Sequence, residues 1–171
     1  TRLWFSMLSI CSQIMYGKNC YNNVYVYGML TDIKGVKMSK SLGNIISPYE
    51  LIDKYGTDSM RTYLCETTAG EDISFSWDEA KLRYRNLRVL WNVHKYLIDL
   101  ARLNNFKPEG LDKIKKCEEE KYIISRTNST IKKVTEMYDK YQLDQLIPHI
   151  TNLFLDLSRT YIKLTRDKSG G

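Results

Sequence analysis

The chain has 171 residues, 43% of them hydrophobic and 12% aromatic, and a net charge of +6, which excludes the disordered class and mildly favours a polyanionic partner. No apolar run approaches the roughly 20 residues that span a bilayer, so we expect neither a transmembrane segment nor a membrane partner. The four cysteines lie far apart without a Cys-x-x-Cys pair, which argues against a zinc site or a disulfide framework and favours a reducing, cytoplasmic setting.

The first part of the sequence has helix, strand and loop signals in that order. Apolar residues recur at helical spacing from Leu3 to Tyr16 and Gly17 follows, so we predict a helix that ends there. The β-branched and aromatic stretch NNVYVYGML, residues 22–30, predicts a strand, and TDIKG after it is typical of a turn. Because so few elements cannot complete an α/β sheet, we expect this part to come from a longer protein.

The rest of the sequence predicts helices only. Ser47 with Glu50, and Ser76 with Glu79, have the spacing of capping boxes. FKPEG, residues 106–110, reads as a linker. The predicted helices cover residues 48–55, a stretch beginning near 57, 77–105, 117–141 and 144–166. This pattern predicts an α/β remnant followed by an antiparallel helical bundle.

One face of the long predicted helix is basic. Its members recur at spacings of four and three residues, and they are Lys81, Arg85, Arg88, Asn92, Lys95, Asp99 and Arg102. A solvated face usually mixes both signs of charge, whereas this one has a single acidic member, so a polyanionic partner is favoured over simple solvation. The neighbouring apolar face includes Trp91 and His94, and we predict that it packs inside the bundle.

The loop GVKMSKSLGN, residues 35–44, carries two lysines among glycines and serines. Gly35 and Gly43 predict a mobile loop, and the ammonium groups of Lys37 and Lys40 can contact phosphate oxygens. In nucleotidyl transfer from ATP, negative charge grows on the departing pyrophosphate, and a cationic loop that closes on it stabilises the transition state more than the bound substrate. A lone Lys-x-x-Lys pair, however, is more often an ordinary surface loop.

The sequence contains the motifs KMSKS with LGN, DKYGTDSMRTYL, TRLWF, EDISFSWDEA and LRVLWNV. Together they resemble motifs of the class I aminoacyl-tRNA synthetases of the isoleucyl, valyl and leucyl subgroup. KMSKS with the following LGN, and then DKYGTDSMRTYL, resembles their signature loop and the helices after it. The segments TRLWF, EDISFSWDEA and LRVLWNV resemble TRGWF, EDLRFSWEE and LNILWNV of isoleucyl enzymes, and DLSRTYI resembles their last bundle helix. Leu3 in place of the usual glycine, and Ala69-Gly70 before Glu71, leave valyl enzymes as an alternative.

The resemblance implies a mainly α fold with three parts. Residues 1–46 are expected to be the C-terminal remnant of a Rossmann-type α/β catalytic domain, 47–75 a connecting helical segment, and 76–171 an antiparallel helical anticodon-binding bundle. The implied activity is that of a ligase that activates isoleucine, a branched aliphatic amino acid, with ATP and Mg²⁺ and transfers it to tRNA. A valyl enzyme, or a stand-alone helical RNA-binding module, is the alternative.

The resemblance also implies site residues. Lys37 and Lys40 are expected to be catalytic. The ATP-binding set is Gly28, Met29, Leu30, Lys37, Met38, Ser39 and Lys40. The tRNA-binding set is Lys81, Arg85, Arg88, Lys95 and Arg102. The family's other signature, His-x-Gly-His, does not occur in the sequence, so we expect this chain to be inactive by itself, with no metal site and no tightly bound cofactor of its own.

Overall fold

The N-terminal helix and a long loop lead into a small parallel sheet. The computed structural model describes residues 2–68, 70–107, 110 and 116–166. Helix α1 spans Arg2–Tyr16, as the apolar spacing predicts, and Gly17 follows it with a φ of +69°. Strand β1, Leu30–Thr31, pairs in parallel with β2, Ile73–Ser74.

The strand predicted over residues 22–30 is wrong except at its last residue. Residues 22–29 are loop apart from a single bridge residue, Tyr27, and most of their side chains are exposed. A strand needs a neighbour that accepts its backbone hydrogen bonds, and among the described residues only β2 lies alongside, opposite Leu30 and Thr31.

Two short helices follow the signature loop at the predicted positions. Helix α2 spans Pro48–Tyr55 and α3 spans Thr57–Cys65. The capping box predicted at the start of α2 is wrong, because the Ser47 side chain makes no cap hydrogen bond. The Glu50 carboxylate instead pairs with Lys54 Nζ at 2.7 Å, one turn later, where an ion pair on the same helix face competes for it.

The main hydrophobic core lies where α2, α3, β2 and the start of α4 meet. Helix α4 spans Trp77–Leu103, close to the predicted range. Leu51, Tyr63, Phe75 and Ala80 form the buried cluster, with edge-to-face rings at 5.6 Å between Tyr63 and Phe75. The Tyr63 hydroxyl accepts the backbone N–H of Ser76 at 2.9 Å, which ties α3 to the start of α4.

The N-terminus of α4 is capped by half of the predicted box. The Ser76 side chain accepts the backbone N–H of Glu79 at 3.3 Å. The Glu79 carboxylate does not reach back to Ser76 but pairs with Arg83, which also pairs with Glu66 just after α3. These contacts attach the first turns of α4 to the core.

Helices α4, α5 and α6 form the bundle. The remaining elements are α5, Glu118–Asp139; a 3₁₀ turn, Leu143–Gln145; α6, Leu146–Asp156; a π-helical turn, Leu157–Tyr161; and α7, Ile162–Thr165. Helices α5 and α6 are antiparallel, because Arg126 in the first half of α5 binds Asp156 at the end of α6, and Glu120 at the start of α5 accepts the hydroxyl of Tyr161, which lies beyond the end of α6. The mainly α class is confirmed, whereas part of the predicted FKPEG linker and the residues from 167 onward lie outside the described residues.

The apolar face predicted for α4 is interrupted by exposed side chains in the second half of the helix. Tyr84 packs on the core side, 5.7 Å from the Tyr55 ring, but Trp91 is 67% exposed and His94 is exposed too. Half-buried positions farther along include Val89, Val93, Tyr96 and Leu100. The nine residues from Ala80 to Val89 correspond to about two and a half helical turns, so Val89 lies on the side of α4 opposite Ala80. Ile98 and Ala101, on the predicted face, are half-buried as well. From Val89 onward, α4 is therefore half-buried on two opposite sides.

No helix among the described residues is long and apolar enough to cross a membrane.

Candidate ATP loop and nucleic-acid surface

The signature loop, residues 35–44, is fixed at its base by Asp32 and Asn44. One carboxylate oxygen of Asp32 accepts the backbone N–H groups of Lys34 and Val36, each at 2.9 Å. The other accepts the side-chain amide of Asn44 at 3.0 Å. Asn44 also accepts the backbone N–H of Ser39 at 2.9 Å, in the middle of the loop. The two ends of the predicted mobile segment are therefore joined.

These hydrogen bonds favour the ionised form of Asp32. The side-chain bond from Asn44, followed by the backbone bond from Val36, lowers the pKa of Asp32 from its ordinary value, because both bonds favour the ionised carboxylate. Sequence reasoning missed Asp32 and Asn44. An aspartate in a turn often accepts the backbone N–H two residues later, as Asp32 does from Lys34, and this was the signal that could have found it.

Lys37 and Lys40 are both exposed on the loop. Lys37 forms an isolated antiparallel bridge with Thr31, and Lys40 begins the turn that Gly43 closes. In the described part of the chain, neither ammonium group lies within 4.0 Å of a carboxylate. Both charges are therefore available to an anionic ligand.

Met38 and Ser39, between the two lysines, anchor the loop. Met38 is half-buried and packs against the core cluster that contains Phe75. The Ser39 hydroxyl lies 3.1 Å from that of Ser41 and accepts the backbone N–H of Leu42 at 3.3 Å. Met38 thus attaches the loop to the core, whereas the two lysines are exposed.

Gly28, Met29 and Leu30 run against the segment that leads into β2. A methyl group on Gly28 would lie 1.8 Å from the Glu71 carbonyl oxygen, so the two backbones are in direct contact. The Met29 N–H donates to the Asp72 carboxylate at 2.8 Å, and the Met29 carbonyl accepts the Ile73 N–H at 2.8 Å. Gly28 and Leu30 also line an apolar cleft of about 490 Å³ that extends to α6.

The basic residues of α4 lie on one exposed face. Lys81, Arg85, Arg88, Lys95 and Arg102 are all exposed. No ion pair holds any of these five among the residues that the structure describes. Arg88 lies over the Tyr84 ring at 5.7 Å. The face therefore carries unneutralised positive charge.

A polar site with two basic residues, which the sequence did not reveal, lies between α5 and α6, and Asp156 neutralises one of them, Arg126. A polar cavity of about 310 Å³ is lined by Arg126, Ser129, Thr130, Lys133, His149 and Asn152. Burial, followed by the charges of Lys133 and Arg126, lowers the pKa of His149. The residues could have been found only by knowing that α5 and α6 lie antiparallel, because they come from two helices.

Two known families match this chain. The family described as tRNA synthetases class I (I, L, M and V) matches residues 1–76, which include the signature loop. The family described as the anticodon-binding domain of tRNA ligase matches residues 120–170, which include α5 and α6. The two matches therefore include the signature loop and the site between α5 and α6, whereas α4 lies between the matched ranges.

Several relatives match over almost the whole chain. An isoleucine–tRNA ligase of Methanosarcina barkeri is 38% identical over 99% of this chain and 16% of its own length. One of Saccharolobus solfataricus is 36% identical over 98% of this chain and 18% of its own length. The chain therefore spans less than a fifth of the length of these relatives.

A solved structure shows the same fold. The ternary complex of Agrobacterium radiobacter K84 agnB2 LeuRS-tRNA-LeuAMS matches 96% of this chain and 21% of its own chain, with a TM-score of 0.73 and 22% identity. At that identity the likeness shows the fold alone.

Proposed function

We propose, because this chain belongs to the class I tRNA synthetases, that it is part of an isoleucine–tRNA ligase, which activates isoleucine with ATP and transfers it to tRNA. The observation that carries the proposal is identity of 36–38% to isoleucine–tRNA ligases over nearly the whole chain. The family described for residues 1–76 also includes valine enzymes, so a valine–tRNA ligase is the alternative amino-acid specificity. The chain alone is expected to be inactive.

In the first step of this reaction, a carboxylate oxygen of isoleucine attacks the α-phosphorus of ATP and the bond to the β-phosphate breaks. Negative charge then develops on the departing pyrophosphate. Lys37 and Lys40, exposed and without carboxylate partners among the described residues, are suited to stabilise that charge. Met38 and Ser39 shape the loop, and Gly28, Met29 and Leu30 border the adenine.

Magnesium would enter with ATP, held by the phosphates. The acidic residue of the loop region, Asp32, already accepts three hydrogen bonds from Lys34, Val36 and Asn44. The loop itself therefore offers no free carboxylate to the metal, and the role of this chain is to supply positive charge beside it.

Isoleucine-dependent exchange of pyrophosphate into ATP by the full-length enzyme tests the proposal. Lys37→Ala and Lys40→Ala should each raise the barrier to adenylate formation by about 2 to 4 kcal/mol while ATP affinity changes little, because the interaction is made mainly in the transition state. Lys18→Ala, at an exposed lysine outside the loop, is the control and should match the parent. A parent enzyme that exchanges with valine rather than isoleucine, or lysine variants that weaken only ATP affinity, would contradict the proposal.

The exposed basic face of α4 is proposed to contact the phosphates of tRNA. Binding of tRNA should then weaken as the salt concentration rises. Replacing Arg85 and Arg88 together by alanine should reduce the slope of the logarithm of the binding constant against the logarithm of the salt concentration, by about 0.7 to 0.9 for each phosphate that the variant no longer neutralises. The matched control is the exposed pair Lys132→Ala with Lys140→Ala, on α5 and just after it. An unchanged slope in the α4 variant would mean that this face is merely solvated.

A stand-alone RNA-binding module is the second candidate, and the basic face of α4 is the observation that favours it. Such a module would bind RNA, but a longer protein that contains it would not exchange pyrophosphate into ATP.

The cytoplasm is the proposed location. The four cysteines are free and exposed, which is typical of proteins in a reducing compartment.

A further inference from the structure

We propose that Asp32 and Asn44 are positioning residues for adenylate formation: their mutual hydrogen bond sets where Lys37 and Lys40 meet the phosphates of ATP. The inference rests on the proposed function of the signature loop. Its basis is geometric, because Asp32 directly follows β1 and Asn44 lies beyond both lysines, and their side chains meet at 3.0 Å.

Asn44 reaches the backbone beside each lysine. Its amide oxygen accepts the N–H of Ser39, the residue just before Lys40, at 2.9 Å. Its amide nitrogen, besides donating to Asp32, lies 3.4 Å from the carbonyl oxygen of Lys37. One side chain therefore holds the backbone at both lysine positions.

Asp32 connects that side chain to the fixed part of the fold. It follows Thr31, which is 4% exposed and whose hydroxyl donates to the Ile73 carbonyl at 3.2 Å across the sheet. Its second oxygen accepts the N–H groups of Lys34 and Val36, which closes the turn before the loop. Two side chains thus fix the lysines relative to β1.

The alternative is that the pair merely closes a surface turn. The two explanations differ in what they affect. A turn would contribute to stability alone, whereas a positioning pair would change the rate of the step in which the lysines act. Because the turn lies at the surface, outside the core cluster, the rate is the more sensitive quantity.

The residue types at positions 32 and 44 can be exchanged with each other, which gives a direct test of their hydrogen bond. Asn44→Asp places two carboxylates about 3.0 Å apart, and Asp32→Asn turns an amide donor toward the Asn44 donor. The double variant, Asp32→Asn with Asn44→Asp, restores one donor and one acceptor between the two positions and gives up only the long 3.4 Å donation from position 44 to the Lys37 carbonyl. The amide oxygen introduced at position 32 can still accept from Lys34 and Val36, and the carboxylate introduced at position 44 can still accept from Ser39.

The test is single-turnover adenylate formation by the full-length enzyme with isoleucine and ATP. Each single variant should be slower by about tenfold or more at saturating ATP, as coupling energies between contacting residues imply, and the double variant should recover to within about threefold of the parent. Transfer from preformed adenylate to tRNA should be unchanged in all three, as should the unfolding midpoint. Asn128→Asp, an exposed site on α5, controls for the added charge.

Single variants that keep the parental rate, or a double variant no faster than the slower single, would overturn the inference. So would equal losses in adenylate formation and in transfer, because a damaged fold affects both steps. Activity of the parent with isoleucine decides the proposed function, and the ratio of variant to parent decides the positioning role, so the two failures are distinguishable.

Discussion

At the scale of single residues, Gly28 shows how a site position can be constrained by packing. The resemblance assigned it to ATP binding, and that assignment stays a prediction. In the structure its α-carbon faces the backbone of Glu71 and Asp72 so closely that no β-carbon fits. A glycine here is required by the approach of two chain segments, whatever the ligand does.

Gly28→Ala should therefore destabilise the junction between residues 28 and 71. The added methyl group would lie 1.8 Å from a carbonyl oxygen, and the backbone must shift to accept it, at a cost of about 3 kcal/mol. Gly35→Ala is the control, because it adds a methyl group in open space and costs only about 1 kcal/mol through its φ of +76°. Denaturant unfolding measures both. Equal losses would mean that the close approach at Gly28 does not exist.

At the scale of elements, the sequence predicted helices well and their buried faces less well. Helical spacing, Pro48 and Ser76 located α1 to α4 within about two residues, because these signals are local. The buried face predicted for α4 is wrong at Trp91 and His94, which are exposed, and the prediction missed the half-buried side at Val89 and Val93, because it assumed one partner along the whole helix. Likewise, residues 22–29 have strand composition but lack a neighbouring strand among the described residues.

Trp91→Ala should change the free energy of unfolding by no more than about 0.5 kcal/mol, because the side chain is 67% exposed on α4. Leu87→Ala, half-buried one turn earlier, should cost about 2 kcal/mol. Chemical denaturation of the two variants compares them directly. A larger loss at Trp91 than at Leu87 would restore the buried face predicted from the sequence.

His149, in the polar cavity between α5 and α6, should make the free energy of unfolding depend on pH. Because the pKa of His149 is lowered from 6.5, the unfolded chain binds a proton at pH values where the folded chain does not. The stabilising contribution is therefore complete above about pH 6.5 and is lost as the pH falls through the ordinary value toward the lowered one. His149→Gln should remove this pH dependence of the free energy of unfolding, and Lys133→Met should reduce it. A parental slope in His149→Gln would contradict the assignment.

At the scale of the whole molecule, the mainly α class followed from the sequence, but the pairing of distant segments did not. The parallel contact of β1 with β2 joins residues more than forty positions apart, and the Asp32–Asn44 bond joins two ordinary polar residues. No periodicity marks such contacts. The lysines of the signature loop were visible in the sequence, whereas the residues that hold them became visible only in three dimensions.

Helix α1 gives the isolated chain an apolar surface. Leu3, Trp4, Met7, Leu8 and Cys11 line one patch, and Trp4 is 70% exposed. Patches of this kind promote association. We expect the isolated chain to self-associate in sedimentation experiments, and Trp4→Lys with Met7→Lys to reduce this. Trp91→Lys with Leu97→Lys, exposed apolar positions on α4, is the control; an equal effect there would contradict a specific role for α1.

The second half-buried side of α4, which begins at Val89, has a consequence for insertions and deletions. One added residue after Arg88 would rotate everything beyond it by about 100° and advance it by about 1.5 Å, so that the bundle would lose phase with the core. Seven added residues would lengthen the helix by about 10 Å yet return the phase to within about 20°. Within α4, an insertion of seven residues therefore preserves the orientation of the bundle relative to the core better than an insertion of one residue does.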